Sequence, residues 1–336
     1  MKLADRVAQT RVPLMVQDRS TAAARVLNNT ADCAEEVARC PLRFVLADDL
    51  TRLCTALAYS VGSSTLECAD LLRVPATLLW LEWNRTPWES ELARYGFASA
   101  QTDVGRVGRC GALLRASPDG RRGTVRTFWS NDDTEEAFAS SIEAYFDFDV
   151  SDGEEPESAD GEPVSPFHVV DHAHEGEDVL SRCFRFRYER SWREYYDRAT
   201  LSTTERDAVN HHALGTIAIN MPVILAFLLL LGTRTGLPRR TETFERLNRA
   251  RGKSGKPPLL EHVEVSCPLM ARSDGAEDGR GMLTRRGPRL HHVRGHLVRR
   301  GNELFWRVPH LRGSARSGMV RARTVTWTVD PVRTTH

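Results

Sequence analysis

The chain has 336 residues, enough for two domains that each bury a core, and its 41% hydrophobic and 27% charged content is that of an ordinary globular protein rather than a disordered or fibrous one. The net charge of +1 hides a split: Thr233–His336 carries 22 Lys and Arg against 9 Asp and Glu, a net +13, while Met1–Gly232 carries 24 against 36, a net −12. Such segregation exceeds what solubility requires and implies an electrostatic task for the carboxyl-terminal third, either toward a foreign anion or toward the acidic front of the same chain.

The opening MKLADRVAQT lacks the apolar core of a secretory signal. Seven scattered cysteines with no C-x-x-C pair fit buried thiols in a reducing cytoplasm. Residues Ala31 to Arg73 read as helices, with Asp32 and Asp48 as N-caps. ATLLWLEWN (Ala76 to Asn84) is a compact apolar strand, followed by strands near Val107–Ala116 and Gly123–Ser130 joined by the turn SPDGRRG. The stretch Val150–Val164, VSDGEEPESADGEPV, is acidic, free of aromatics and rich in Pro, Gly and Ser, the composition of a flexible linker or loop. Glu177–Arg198 has helical character. A helix is expected from about Thr204 to Leu231, and its end ALGTIAINMPVILAFLLLLG approaches the ~20 residues a bilayer needs. Asn220 and Pro222 interrupt it, and a buried core helix is the better reading. A polar helix follows at Thr241–Ala250. Then comes the basic Gly/Pro loop RGKSGKPP, leading into a strand; its Lys253 and Lys256 are candidate phosphate contacts, although no G-K-[ST] step marks a P-loop.

The most informative stretch is Arg289–Gly313, RLHHVRGHLVRRGNELFWRVPHLRG. Gly301-Asn302 is a two-residue turn signal, and folding on it pairs Arg300 with Glu303, Val298 with Phe305, Leu297 with Trp306 and His296 with Arg307. In that register Val293, Leu297, Leu304, Trp306 and Val308 share a buried face, while His292, Arg294, His296, Arg300 and Arg307 share the exposed one. A slip of one residue would bury the charges. The exposed cations suit phosphates, Phe305 suits base stacking, and Arg289, Arg299, His310, Arg312, Arg316, Arg321 and Arg323 extend the patch. His292 and His296 are about 13 Å apart along a strand, too far to share one zinc. Asp171, His172 and His174 are closer together but form an acidic cluster next to a loop. Neither a metal nor any other cofactor is expected. His292 or His296 with His310 can be written as an acid–base pair for metal-independent RNA cleavage. Otherwise the hairpin serves binding alone, of polyanion or of protein, and a non-enzymatic role is the preferred one. TVTWTVD (Thr324–Asp330) reads as a last strand.

Three segments, VPATLLWLEW (Val74–Trp83), LNRARGKSGKPPLLEHVEV (Leu247–Val265) and HHVRGHLVRRGNELFWRVPHLRG (His291–Gly313), resemble in the same order a group of proteins of phages, plasmids and bacterial genomes. That group is similar to the type V-A anti-CRISPR protein that lowers effector levels. The most specific element is Arg294-Gly295-His296 with Arg299, followed by Trp306 to His310; Leu297 stands near the place where members commonly carry a second tryptophan. The resemblance implies recognition of a nascent effector chain and loss of its messenger RNA during translation, hence contact with RNA, ribosome or protein. The expected fold is α+β. A helical and β-meander domain spans 1–149, an acidic linker 150–164, a central helical layer with the buried helix 165–252, and a basic antiparallel β-domain 253–336. Nothing in the sequence specifies an oligomeric state.

Overall fold

The computed structural model of the chain describes residues 1–11, 22–59, 68–95, 107–131, 136–149, 184–189, 192, 194, 215, 217–234, 236–267, 289–293, 296–307, 310–312 and 314–319. The acidic stretch Val150–Val164, the Asp171/His172/His174 cluster, and the strand expected at Thr324–Asp330 lie outside these residues. The chain divides into two units, one of 1–268 with 297–306 and one of 269–296 with 307–336.

The larger unit is α+β. Its sheet has eight strands in the order β6-β5-β4-β3-β2-β1-β8-β7. At its centre β1 (Leu42–Leu46) runs parallel to both β2 (Leu78–Asn84) and β8 (His262–Val265). From β2 an antiparallel meander continues through β3 (Val107–Ala116), β4 (Arg122–Asn131), β5 (Ala137–Asp147) and β6 (Phe184–Tyr188), and β7 (Arg239–Glu242) closes the other edge against β8. The β2, β3 and β4 assignments from sequence agree with these bounds. The turn between β3 and β4 is built by Ser117, whose carbonyl accepts from Gly120 N at 2.8 Å, and by Gly120 itself, whose φ of 74° suits a residue without a side chain.

Three sequence assignments are corrected. Leu42–Leu46, LRFVL, inside the stretch read as helical, is the central strand; five residues between two helices are too few for periodicity to separate strand from helix. Phe184–Tyr188 is a strand whose aromatics alternate with Arg185 and Arg187, with Phe184 and Phe186 buried. β8, assigned to a carboxyl-terminal β-domain, is an inner strand of the large sheet. Asp32 and Asp48 are also not N-caps. Asp32 ends a helix and Asp48 is the first residue of one.

Helices cover both faces of the sheet. Alternation along β2 sends Trp80 and Glu82 to one face and Leu79, Leu81 and Trp83 to the other. On the first face α1 (Leu3–Gln9), α2 (Ala22–Asp32) and α3 (Ala34–Arg39) bury Leu3, Val7, Cys33 and Val37 against Trp80, Leu113 and Phe128. On the second lie α4 (Asp48–Tyr59), α5 (Arg85–Leu92) and α6 (Met221–Leu231), with Phe44 of β1 meeting Phe227 edge-on at 5.5 Å. Every residue of α6 from Met221 to Leu230 is buried, as a helix apolar on all sides requires. Among the described residues no helix is long and apolar enough to cross a membrane.

One polar group is embedded in this core. Glu82 is fully buried, and its carboxylate accepts from Leu3 N (3.3 Å), Ala4 N (2.9 Å), Trp80 Nε1 (3.0 Å) and Arg109 Nε (3.0 Å), with a second Arg109 nitrogen at 2.8 Å. Leu3 N and Ala4 N are amides of the first turn of α1, which have no partner inside the helix. Nearby, burial pushes the Asp5 carboxyl above the usual carboxylate range, although backbone amides of Leu260 and Lys2 donate to it. Five of the described cysteines are buried and Cys267 is half-buried; burial pushes the Cys110 thiol up to about 12 and Cys267 up to about 11, far from a reactive thiolate.

Candidate functional site

The hairpin expected at Gly301-Asn302 is present. β10 (His296–Arg300) and β11 (Glu303–Arg307) pair across that turn, where Gly301 has φ 60°. A positive φ at the first turn position matches the twist of two-residue hairpins and is accessible to glycine without strain. Burial alternates as the pattern requires: Leu297, Leu304 and Trp306 are buried, Val298 and Phe305 are half-buried, and His296, Arg300 and Arg307 are exposed. The Arg300 guanidinium lies over the Phe305 ring, 5.6 Å from its centroid. Among the described residues neither Arg300 nor Arg307 forms an ion pair with a carboxylate.

Arg299 has a different environment. Its position in the strand matches that of buried Leu297, and its guanidinium grips Asp70 through two bonds of 2.8 and 2.7 Å while also donating to Gly301 O at 3.0 Å. Asp70 lies on a single-turn helix, Ala69–Leu71, whose backbone is held by Arg121 bonding Asp70 O and Leu72 O. At the start of β11, Glu303 pairs with Arg234, whose backbone amide also bonds Leu304 O at 3.0 Å. Residues 297–306 of the hairpin belong to the larger unit, and Arg299 and Glu303 hold them there.

In the second unit β9 (Arg289–Val293) pairs antiparallel with β12 (His310–Arg312) and parallel with β13 (Ser314–Met319), which carries Arg316. These three strands are described as backbone. Val293 faces His310, His292 faces Leu311 and His291 faces Arg312, the register that the Gly301-Asn302 turn sets for the preceding ribbon. His292 and His310 are therefore not cross-strand partners. Arg294, Val308, Arg321 and Arg323 lie outside the described residues, and Arg289, His292, His310 and Arg312 are placed by their backbone alone.

Lys253 is not in the glycine loop. It is the last residue of α7 (Glu245–Lys253), which starts four residues later than the polar helix read at Thr241, because Arg239–Glu242 is drawn into the sheet as β7. Lys256 is in the loop, and both lysines are exposed. Among the described residues no group of three or more His, Cys, Asp or Glu is placed to hold a metal ion.

No protein-family model, curated protein or solved structure matches the chain.

The functional reading therefore rests on the residues themselves. Sequence reasoning missed Arg246 and Arg249, which share α7 with Lys253. The signal was present in the E-R-L-N-R-A-R-G-K spacing, which puts 246, 249 and 253 on one side of a helix once its start is set at Glu245.

Proposed function

We propose that the chain is a non-enzymatic binding protein of mobile elements, similar to the type V-A anti-CRISPR group, that engages RNA, free or within a translating complex, through the outward face of the β10–β11 hairpin. The observation that supports this reading is the unequal use of three arginines on one ribbon. Arg299 is consumed by Asp70, whereas Arg300 and Arg307 are exposed and meet no described carboxylate, with Arg300 lying over a half-exposed aromatic ring. A guanidinium held over a ring offers a phosphate two parallel donors and offers a base its own flat outer face for stacking. Within the hairpin, Arg299 accordingly holds the ribbon in place, and His296, Arg300, Phe305 and Arg307 meet the ligand.

Retention of labelled RNA by the purified chain at several salt concentrations tests this. Removing Arg300 and Arg307 together is expected to reduce the slope of log affinity against log salt by about 1.4, each cation giving up about 0.7 on a single strand. An unchanged slope would reject the hairpin as the contact surface.

A further inference from the structure

The molecule carries a second cationic surface. Helix α7 is anchored on one side only: Asn248 donates to Leu259 O (2.9 Å) and accepts from Leu259 N (2.7 Å), and Arg251 Nε donates to Pro257 O (2.8 Å). No residue of α7 is buried. At 100° per residue, Arg246, Arg249 and Lys253 fall within about 60° of one another on the side away from Asn248, along about 10 Å of helix. None of the three pairs with a described carboxylate. Glu245 is the one acid on the helix, at its first turn, where the helix dipole favours it. Next to the cationic row lies an open cavity of about 340 Å³ lined by Thr243, Phe244, Arg246, Leu247 and Ala250. Leu247 is 49% exposed, one of the largest apolar exposures among the described residues. Phe244 presents an aromatic wall, tilted against the buried His262 ring at 5.6 Å.

We infer that α7 is a binding surface for single-stranded nucleic acid, with the backbone along Arg246, Arg249 and Lys253 and an unpaired base in the Phe244–Leu247–Ala250 cavity. Cations in a row match a polymer that brings one negative charge with every unit. A neighbouring apolar cavity with an aromatic wall suits a base that is free to leave its stack, and a duplex has none to offer. The cavity also distinguishes this surface from the hairpin, whose aromatic residue lies under its own arginine. The inference stands on α7 alone and does not depend on the hairpin reading.

The test uses the full-length chain and fluorescence anisotropy with three probes: a labelled oligouridylate, an RNA duplex of the same length, and polyglutamate as competitor. Replacing Arg246, Arg249 and Lys253 with alanine together should weaken oligouridylate binding about tenfold and lower its salt slope by about 2. Ala250→Gln, at an exposed position where no core is disturbed, should fill the cavity and weaken the single strand several-fold while leaving duplex binding unchanged. A variant lacking Arg300 and Arg307 is measured beside these. Loss in that variant alone, with the α7 triple variant binding like the parent, overturns the inference and leaves the hairpin as the contact. Duplex binding as tight as single-strand binding overturns it, as does displacement by polyglutamate at equal charge concentration, which assigns α7 to an acidic protein instead.

Discussion

Arg109, Arg115 and Arg121, on β3 and the turn that follows it, each end on groups supplied by the fold. Arg109 meets Glu82 and Asn84, Arg115 meets Glu36 and Glu143, and Arg121 meets Asp149 and the carbonyls of Asp70, Leu72 and Phe148. Arg246 and Arg249 on α7 and Arg300 on β10 have no such carboxylate among the described residues. The residue type is the same and the surroundings differ. Where the sheet brings a carboxylate to within about 3 Å in a poorly hydrated setting, a guanidinium fixes structure, because its removal strands a charge. Where solvent surrounds it, removal leaves stability nearly unchanged, and what is lost is the capacity to hold an external anion. The division does not follow the charge split along the sequence: Arg52 and Arg73 in the acidic front are exposed and meet no described carboxylate, while Arg234, Arg240 and Arg299 in the basic third are paired.

Breaking the buried side of this comparison should have the largest effect. Glu82→Ala leaves Arg109 without its carboxylate, and two amides of α1 and the Trp80 ring nitrogen without an acceptor, at a fully buried position. A loss of about 3–5 kcal/mol in urea denaturation is expected, against a change within about 0.5 kcal/mol for Arg300→Ala, which removes a surface side chain. Similar losses for the two variants would remove the distinction between structural and available arginines.

A smaller effect is expected at the turn that seats Arg121. Gly120 has φ 74°, and a Cβ there would stand 2.1 Å from Val74 O, the residue whose amide bonds Gly120 O. Gly120→Ala therefore combines backbone strain with a clash against main chain, and about 2–3 kcal/mol is expected by thermal or urea unfolding. The adjacent Arg121 contacts to Asp70 O and Leu72 O should loosen with it, visible as faster amide exchange around residues 69–72.

How much of this was legible in the sequence follows from what each pattern encodes. The β3–β4 hairpin and the β10–β11 ribbon could be read because alternation and a turn signal act together: Gly301-Asn302 sets a register, and Leu297, Leu304 and Trp306 then fall on the inner face. The central strand β1 could not, since both its neighbours are parallel and come from distant sequence, β2 and β8, so its five residues look like part of the flanking helices. Glu82 was hidden for a related reason. An acid in the strand LLWLEWN reads as an outward position until the fold delivers Arg109 and the start of α1 above it. Within the candidate site, Arg299 and Arg300 are neighbours of identical type. Only the placement of Asp70, on a turn far away in the chain, assigns one to structure and the other to solvent.

That placement gives the smallest and most discriminating prediction. The Arg299–Asp70 pair is bidentate but lies at the surface, with the two side chains 37% and 54% exposed. Its contribution should be no more than about 1 kcal/mol, and less at high salt. A double-mutant cycle with Arg299→Ala and Asp70→Ala reads that coupling directly. RNA retention by the same variants then separates the roles of adjacent arginines. If Arg299 only fixes the hairpin, Asp70→Ala and Arg299→Ala should change RNA affinity alike and by less than about threefold. If Arg299 is itself a phosphate contact, Asp70→Ala should strengthen binding by freeing its guanidinium while Arg299→Ala weakens it. Opposite signs would move Arg299 from the fastening of the hairpin to its binding face.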